Sequence, residues 1–349
     1  MNAHPFLVRL LKGQGLTMAQ SRQIFVRAFC GELTRQETKN LLLLLARKKE
    51  SPDELAGCVQ ALRLLEPPVR APISKAVMDV CGTGGDGSHS FNISTLSSFV
   101  IAGAGGKVSK HGNRSITSCC GSSDLIEAMG IYLDAGRHRM LESLRRYGLG
   151  YFHAPFYHPV FSRMQPLRKE LKRRTIFNLL GPLSNPVQLD CQMIGVSKPE
   201  YVPLFARTLA RFKTTAALIC YGTDGMDEIS IGAPTRLAWV KGSEIAYKTF
   251  RPEQYGLRIR NAKSRLMSRG VRNSTHCAIR LLKGKLRGPL HDTVVLNSAA
   301  ALLVSGNAKD FQHGIKMAKE SLDSGSAYRV FLGLKKISRR KKIHGGRFS

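Results

Sequence analysis

The segment that most constrains the fold is punctuated by glycine. An apolar run, Ala76-Val-Met-Asp-Val-Cys81, ends on Gly82-Thr-Gly-Gly-Asp-Gly87, and Ser90-Phe-Asn-Ile-Ser-Thr95 then opens a second apolar run through Phe99 and Val100. A strand-like run, a turn crowded with glycine and a helix start, in that order, predict the repeating unit of an α/β layered domain. Glycines let backbone N–H groups come close to an anion, and a helix N-terminus adds partial positive charge aimed at it. The segment reads as a phosphate cradle, although a glycine turn standing alone often does no more than reverse a chain.

Two further segments strengthen the reading. Lys107-Val-Ser-Lys-His-Gly-Asn-Arg-Ser-Ile-Thr-Ser118 leads a strand into a loop of cations, amide and hydroxyls, donors suited to several phosphate oxygens. Its bland alternative is a solvated basic loop. Tyr221-Gly-Thr-Asp-Gly-Met-Asp-Glu-Ile-Ser230 follows the strand-like Ala216-Ala-Leu-Ile-Cys-Tyr221 and offers adjacent Asp227 and Glu228. Carboxylates at the carboxyl end of a strand suit Mg²⁺, which bridges protein oxygens to substrate phosphates. A solvated Asp-Glu pair is the alternative there.

Ahead of the glycine segment, residues 4–65 show helical apolar spacing restarted at Thr17/Gln20, Thr34/Glu37 and Ser51-Pro52-Asp53-Glu54, which predicts four short helices. Pro67, Pro68 and Pro72 break the pattern, so a boundary is expected there. The expected organisation is a helical domain over residues 1–72, an α/β domain over 73–338 and a basic tail over 339–349. A helix is expected from Leu167 to Leu180, stopped by Gly181-Pro182, with the segment 160–186 packing back on the helical domain.

Six ordered motifs now stand in one chain: GTGGDG at 82–87, NIST at 92–95, KHGNR at 110–114, GS-x-D at 121–124, NxLGPLxNP at 178–186 and DGxDE at 224–228. With them the chain resembles the anthranilate phosphoribosyltransferase family over nearly its whole length. The resemblance implies a small N-terminal helical domain beside a larger α/β domain with a mostly parallel central sheet, a cleft between them, and homodimers formed through the helical domain. It implies 5-phosphoribosyl-1-diphosphate (PRPP) contacts at Gly82, Gly85, Asp86, Ser90, Asn92, Ser94, Thr95, Lys110 and Ser122. It implies anthranilate contacts at Gly82, Asn113, His158 and Arg168, and Mg²⁺ at Ser94, Asp227 and Glu228. Arg168 also makes independent sense, because a guanidinium fork binds a carboxylate in a bidentate manner; the alternative is a solvated helix-surface arginine. His111 either assists proton release or serves as a hydrogen bonder of its loop. The chain departs from the family pattern at Tyr221, at Cys119-Cys120 and at Leu290.

Charge adds a separate question. Lys and Arg number 54 against 24 Asp and Glu, a formal net charge of +30. No acid falls between Gln254 and His291, and cations gather over residues 258–287 and 335–347. Either a polyanion such as nucleic acid, or another acidic partner, binds there, or the surface is simply basic. The eight cysteines show no C-x-x-C spacing, which disfavours a zinc site or disulfide framework and fits a reducing cytoplasm. The apolar run at 41–46 falls short of the about 20 residues that span a bilayer, and residues 1–20 lack the pattern of a secretory signal, so no membrane role is expected. The rival readings are a pyrimidine nucleoside phosphorylase, which needs no metal for diphosphate, and a relative that keeps the fold but binds nucleic acid.

Overall fold

The computed structural model describes residues 4–114, 119–257 and 262–339. Four helices come first: α1 (His4–Leu11), α2 (Met18–Cys30), α3 (Arg35–Lys48) and α4 (Pro52–Leu65). The last three start on reciprocal capping boxes, Thr17 with Gln20, Thr34 with Glu37 and Ser51 with Glu54, so local sequence alone sets where each begins. Glu54 does more than cap. Its fully buried carboxylate also accepts from Leu16 N at 2.9 Å and from Lys48 Nζ at 2.9 Å, joining three segments of the bundle.

The α/β part runs β1 (Val77–Gly82), α5 (Ile93–Gly103), β2 (Lys107–Gly112), α6 (Ser122–Ala128), α7 (Arg137–Tyr147) and β3 (Leu149–His153). It continues with α8 (Ala154–Tyr157), α9 (Pro159–Leu171), α10 (Phe177–Leu180), β4 (Cys191–Gly195), α11 (Tyr201–Arg211), β5 (Ala216–Gly222), β6 (Thr235–Lys241) and β7 (Glu244–Phe250). Five helices close the chain: α12 (Ala262–Arg265), α13 (Val271–Leu282), α14 (Pro289–Val304), α15 (Phe311–Asp323) and α16 (Ser326–Ser338). The strand order is β3-β2-β1-β4-β5-β6-β7, parallel through β5 and antiparallel beyond it. The fold is therefore α/β with a mostly parallel central sheet.

Side chains alternate between the two faces of each central strand, so each strand feeds two cores. Met193, Leu218 and Cys220 join a core with α5, α14, α15 and α16. Ile194, Ala217 and Ile219 join the other, which also holds Leu41, Leu55, Phe177 and Phe205. The first four helices thus bury their apolar faces in the same cluster as α9, α10, α11 and the second face of the sheet.

The helix expected from Leu167 to Leu180 is not formed as such. The sequence pattern misleads at Pro166: the helix begins at Pro159, where a proline at the first position sacrifices no intrahelical donor, and Pro166 lies inside it. It ends when Lys172 turns left-handed at φ 48°, and a separate short helix covers Phe177–Leu180. The basic tail from residue 340 onward, and Arg258 and Arg260, lie outside the described residues. Among the described residues no helix is long and apolar enough to cross a membrane.

The tight packing of α4 on α2 predicts a stability effect. A Cβ on Gly57 of α4 would meet the Met18 carbonyl and stand 2.8 Å from Arg22 N of α2. Gly57→Ala is expected to lower unfolding stability by about 1–3 kcal/mol, as overpacking does. A thermal melt of the variant beside the wild type measures it, and an unchanged melting temperature would mean that the helices part freely.

Candidate active site

In a parallel sheet whose strand order reverses, loops at the carboxyl ends of the strands flanking the reversal diverge and leave a crevice. Here the reversal lies between β1 and β4, paired up to Gly82 opposite Gly195. The glycine loop after β1 therefore opens into that crevice. Gly84, Gly85 and Gly87 take φ values of +65°, +70° and +68°, which a side chain would strain. Gly84 N donates to Asp227 Oδ2 at 3.0 Å. Gly82 and Gly195 face Asp227 so closely that a Cβ on either would collide with its carboxylate or its carbonyl.

Glu228 is buried, with Asp227 half-buried beside it; the pair is no solvated turn. Burial, and then the charge of Asp86, push the Asp227 carboxyl up to about 7. Burial and the charge of Asp227 push Glu228 well above the ordinary range, against the opposing pull of Lys110. Asp86 accepts from Ser88 N at 3.1 Å through Oδ1, while its buried Oδ2 has no partner among the described residues. Asn297 of α14 clamps the loop, with Oδ1 accepting from Ile229 N at 2.9 Å and Nδ2 donating to Ile229 O at 3.0 Å.

Lys110, 3% exposed, is the cation of this cluster; its Nζ donates to the His111 carbonyl at 3.0 Å. Below it Asp79, fully buried, accepts from Asn185 Nδ2 at 2.9 Å and lies within electrostatic reach of Lys110. Asn185 Nδ2 also donates to Ser109 O at 2.7 Å, so this asparagine ties the middle of β1 to the middle of β2. Asp86, Asp227 and Glu228 thus crowd one another, with Lys110 within electrostatic reach of Glu228. The excess negative charge and the orphaned oxygen suit a divalent cation. Among the described residues no three His, Cys, Asp or Glu side chains close into a metal cage. That suits Mg²⁺, which keeps waters and substrate oxygens and needs few protein carboxylates.

The remaining residues singled out from sequence fall into place around this centre. Ser94 and Thr95 lie in the first turn of α5, Ser94 in the wall that also holds Glu228, and Thr95 Oγ1 is buried without a partner among the described residues. Ser90 bonds Ser88 Oγ at 3.1 Å, and Asn92 Nδ2 donates to Cys120 O at 3.2 Å. Ser122 Oγ accepts from Asn113 N at 3.1 Å and donates to Asn113 O at 3.0 Å. His158 starts α9 and Arg168 occupies its last turn, its guanidinium 5.4 Å above the Phe177 ring. Burial lowers the Arg168 pKa, and no carboxylate pairs with it among the described residues. The departures are absorbed by packing: Cys119 Sγ donates to Ser268 O at 3.4 Å, Leu290 is buried in α14, and Tyr221 packs on the second core.

Four contributors were missed. Arg174 Nη2 donates to Gly84 O at 3.0 Å and to Ser197 Oγ at 3.3 Å, strapping the glycine loop to the segment after β4. Glu66 binds His158, Asp79 underlies Lys110, and Asn297 holds the Asp227–Glu228 loop. Asp79 carried a signal, a charged residue inside an apolar strand. The others sit far along the chain from what they hold.

Residues 74–328 match the model of a glycosyl transferase family, α/β domain. The anthranilate phosphoribosyltransferase of Desulfosudis oleivorans is 39% identical over 323 residues, covering 92% of this chain and 94% of that protein. That of Thermomicrobium roseum is 37% identical, covering 95% and 96%. Among solved structures, the anthranilate phosphoribosyltransferase of Thermus thermophilus aligns with a TM-score of 0.90 at 34% identity, covering 97% of this chain and 100% of that one. The Saccharomyces cerevisiae protein in complex with PRPP and Mg shares the fold with a TM-score of 0.86 at 24% identity, covering 96% and 97%.

The Asp227 carboxyl yields a pH prediction. The folded chain keeps its proton up to about 7, whereas the unfolded chain releases it near 3.8. Between these values the folded state binds more protons, so this group's contribution to stability falls as pH rises through that window. Asp227→Asn should therefore melt higher than wild type at pH 8 in the absence of divalent cations, with the gap shrinking at pH 4. A gap that does not depend on pH would show that the carboxylates are not crowded.

Proposed function

We infer that this chain, which belongs to the anthranilate phosphoribosyltransferase family, transfers the phosphoribosyl group of PRPP to the amino group of anthranilate, giving N-(5-phosphoribosyl)anthranilate and diphosphate in tryptophan biosynthesis. The observation that carries the reading is the apposition, at the β1/β4 crevice, of a left-handed glycine loop with the buried Asp227–Glu228 pair. A loop rich in N–H donors beside an acidic pair suits a polyphosphate that arrives with a divalent cation.

In this reading the glycine loop, with Asp86, Ser90, Asn92 and the start of α5 at Ser94 and Thr95, holds the PRPP phosphates, and Ser122 meets them from the opposite side. Lys110 supplies fixed positive charge to the diphosphate as it leaves. Asp227, Glu228 and Ser94 would hold Mg²⁺, which would supply further positive charge to that leaving group. Departure of diphosphate builds positive charge on the ribose, as in other glycosyl transfers. Arg168 takes the carboxylate of anthranilate, and Asn113, Gly82 and His158 line the same pocket. The half-buried guanidinium of Arg168, without a carboxylate partner among the described residues, supports this role, since partly desolvated cations are stable chiefly when a counter-charge arrives. An aryl amine is neutral and nucleophilic near pH 7, so orientation and leaving-group stabilisation carry most of the rate.

Two further assignments extend the reading. Homodimers form through the first four helices, where Leu11 is 58% and Leu64 63% exposed. A polyanion binds the acid-free stretch, in which Arg265, Arg269, Arg272 and Lys285 are exposed; its affinity for oligonucleotides should fall steeply with salt. The reducing cytoplasm is the compartment that fits this enzyme.

Loss of anthranilate fluorescence on mixing with PRPP and Mg²⁺ tests the main reading, which fails if the signal does not change. Arg168→Ala should raise the Michaelis constant for anthranilate about 10- to 100-fold, the worth of a charge-assisted pair, and leave that for PRPP within a few-fold. Equal damage to both substrates would refute a carboxylate contact.

A further inference from the structure

Outside the phosphate crevice the structure holds a buried pair of imidazoles, each with one nitrogen unsatisfied. His158, 3% exposed, places Nδ1 2.7 Å from Glu66 Oε2. The other oxygen of that carboxylate accepts from Val160 N at 2.9 Å, so Glu66, reaching across from the end of α4, fixes both the imidazole and the first turn of α9. A carboxylate only accepts; Nδ1 therefore carries the hydrogen, and Nε2 is left as a bare lone pair. That Nε2 is buried and has no partner among the described residues. His111 repeats the arrangement. Its Nδ1 faces the Gly181 carbonyl at 3.3 Å, which makes it the donor, and its buried Nε2 is likewise unpartnered.

The two rings meet edge to face with centroids 5.1 Å apart. A primary amine, with two N–H groups, has the donor number that this pair lacks. Both rings also sit on the elements that carry the acceptor contacts. Asn113 lies two residues beyond His111, and Arg168 closes the helix that His158 opens.

We propose that Glu66 is a positioning residue that holds His158 as its Nδ1–H tautomer, so that His158 Nε2 takes the proton released by the attacking amine. The proposal rests on the transferase reading. As the amino nitrogen bonds to C1 of the ribose, the C1–oxygen bond breaks and its electron pair leaves with diphosphate. The nitrogen, now positively charged, gives one proton to His158 Nε2, and the resulting imidazolium faces the Glu66 carboxylate until the proton passes to water as product leaves. His111 accepts the second N–H without taking its proton. Burial and the neighbouring charge of His158 hold its pKa well below the ordinary value, so it stays neutral. The titratable groups around the pair are Glu66 from α4, His111 and Lys110 from β2, and His153 from β3.

Single-turnover mixing of the whole protein with PRPP, Mg²⁺ and anthranilate tests the proposal in wild type, Glu66→Gln and His158→Ala. Glu66→Gln keeps an oxygen for Val160 N but offers no charge to the imidazole. It should react about 10- to 100-fold more slowly at saturating substrates, with the Michaelis constant for anthranilate changed less than about threefold. His158→Ala should be slower still and should recover rate with added imidazoles in the order of their basicity, which a packing defect would not do. A Glu66→Gln rate equal to wild type, or rescue of His158→Ala indifferent to basicity, would overturn the proposal. Wild-type protein that consumed no anthranilate would instead remove the transferase reading on which it stands.

Discussion

The structure turns on the close approach of Asp227 to the backbone at the ends of β1 and β4. With hydrogen at the side-chain positions of residues 82 and 195, the carboxylate and carbonyl of Asp227 enter the crevice and meet Gly84 N at 3.0 Å. Any larger residue at either position would expel the loop. This contact costs electrostatic energy, because it presses Asp227 toward Asp86 and Glu228 in a poorly solvated space. A fold does not crowd three acids together for its own stability. On the proposed function a cation and a polyphosphate would complete the arrangement, and sites of this kind are where perturbed carboxyls gather.

Rigid supports make that approach possible. Asn297 grips the peptide after Glu228 from α14, a helix buried along nearly its whole length. Asn185 joins β1 to β2 through Asp79 and Ser109, and Arg174 ties the glycine loop to Ser197. The acceptor side is assembled differently. Its elements are α9, the end of α4 and the end of β2, drawn together by the second apolar core and by Glu66, whose carboxylate spans the junction between the helical bundle and the α/β layers. The division is chemical: polar fixtures hold the half proposed to take phosphate, and apolar packing brings up the half proposed to take the aromatic ring.

Much of this was legible because it is local. Capping boxes at Thr17, Thr34 and Ser51 need only residues three apart, and the glycine loop and the Asp227–Glu228 pair are contiguous in sequence. The burial of Glu228 was not legible, since no periodicity reveals that α14 and β4 will pack over that loop. Pro166 misled because proline marks a helix start in one register and is merely tolerated in another; the true start, Pro159, directly follows His158. Glu66 and Arg174 stayed invisible for a stronger reason. Each works across 90 or more residues of chain or at the end of a helix that was misplaced, and pairings of that kind exist only once two cores have formed.

The central claim is that one crevice holds PRPP and delivers its ribose to an aromatic amine. Phosphorus NMR of the protein with PRPP and Mg²⁺, recorded before and after anthranilate is added, measures that claim directly. The account predicts that PRPP persists alone and that, once the amine is present, free diphosphate and a new phosphomonoester appear in equal amounts. Release of diphosphate that ignored anthranilate, or PRPP left intact in its presence, would contradict it.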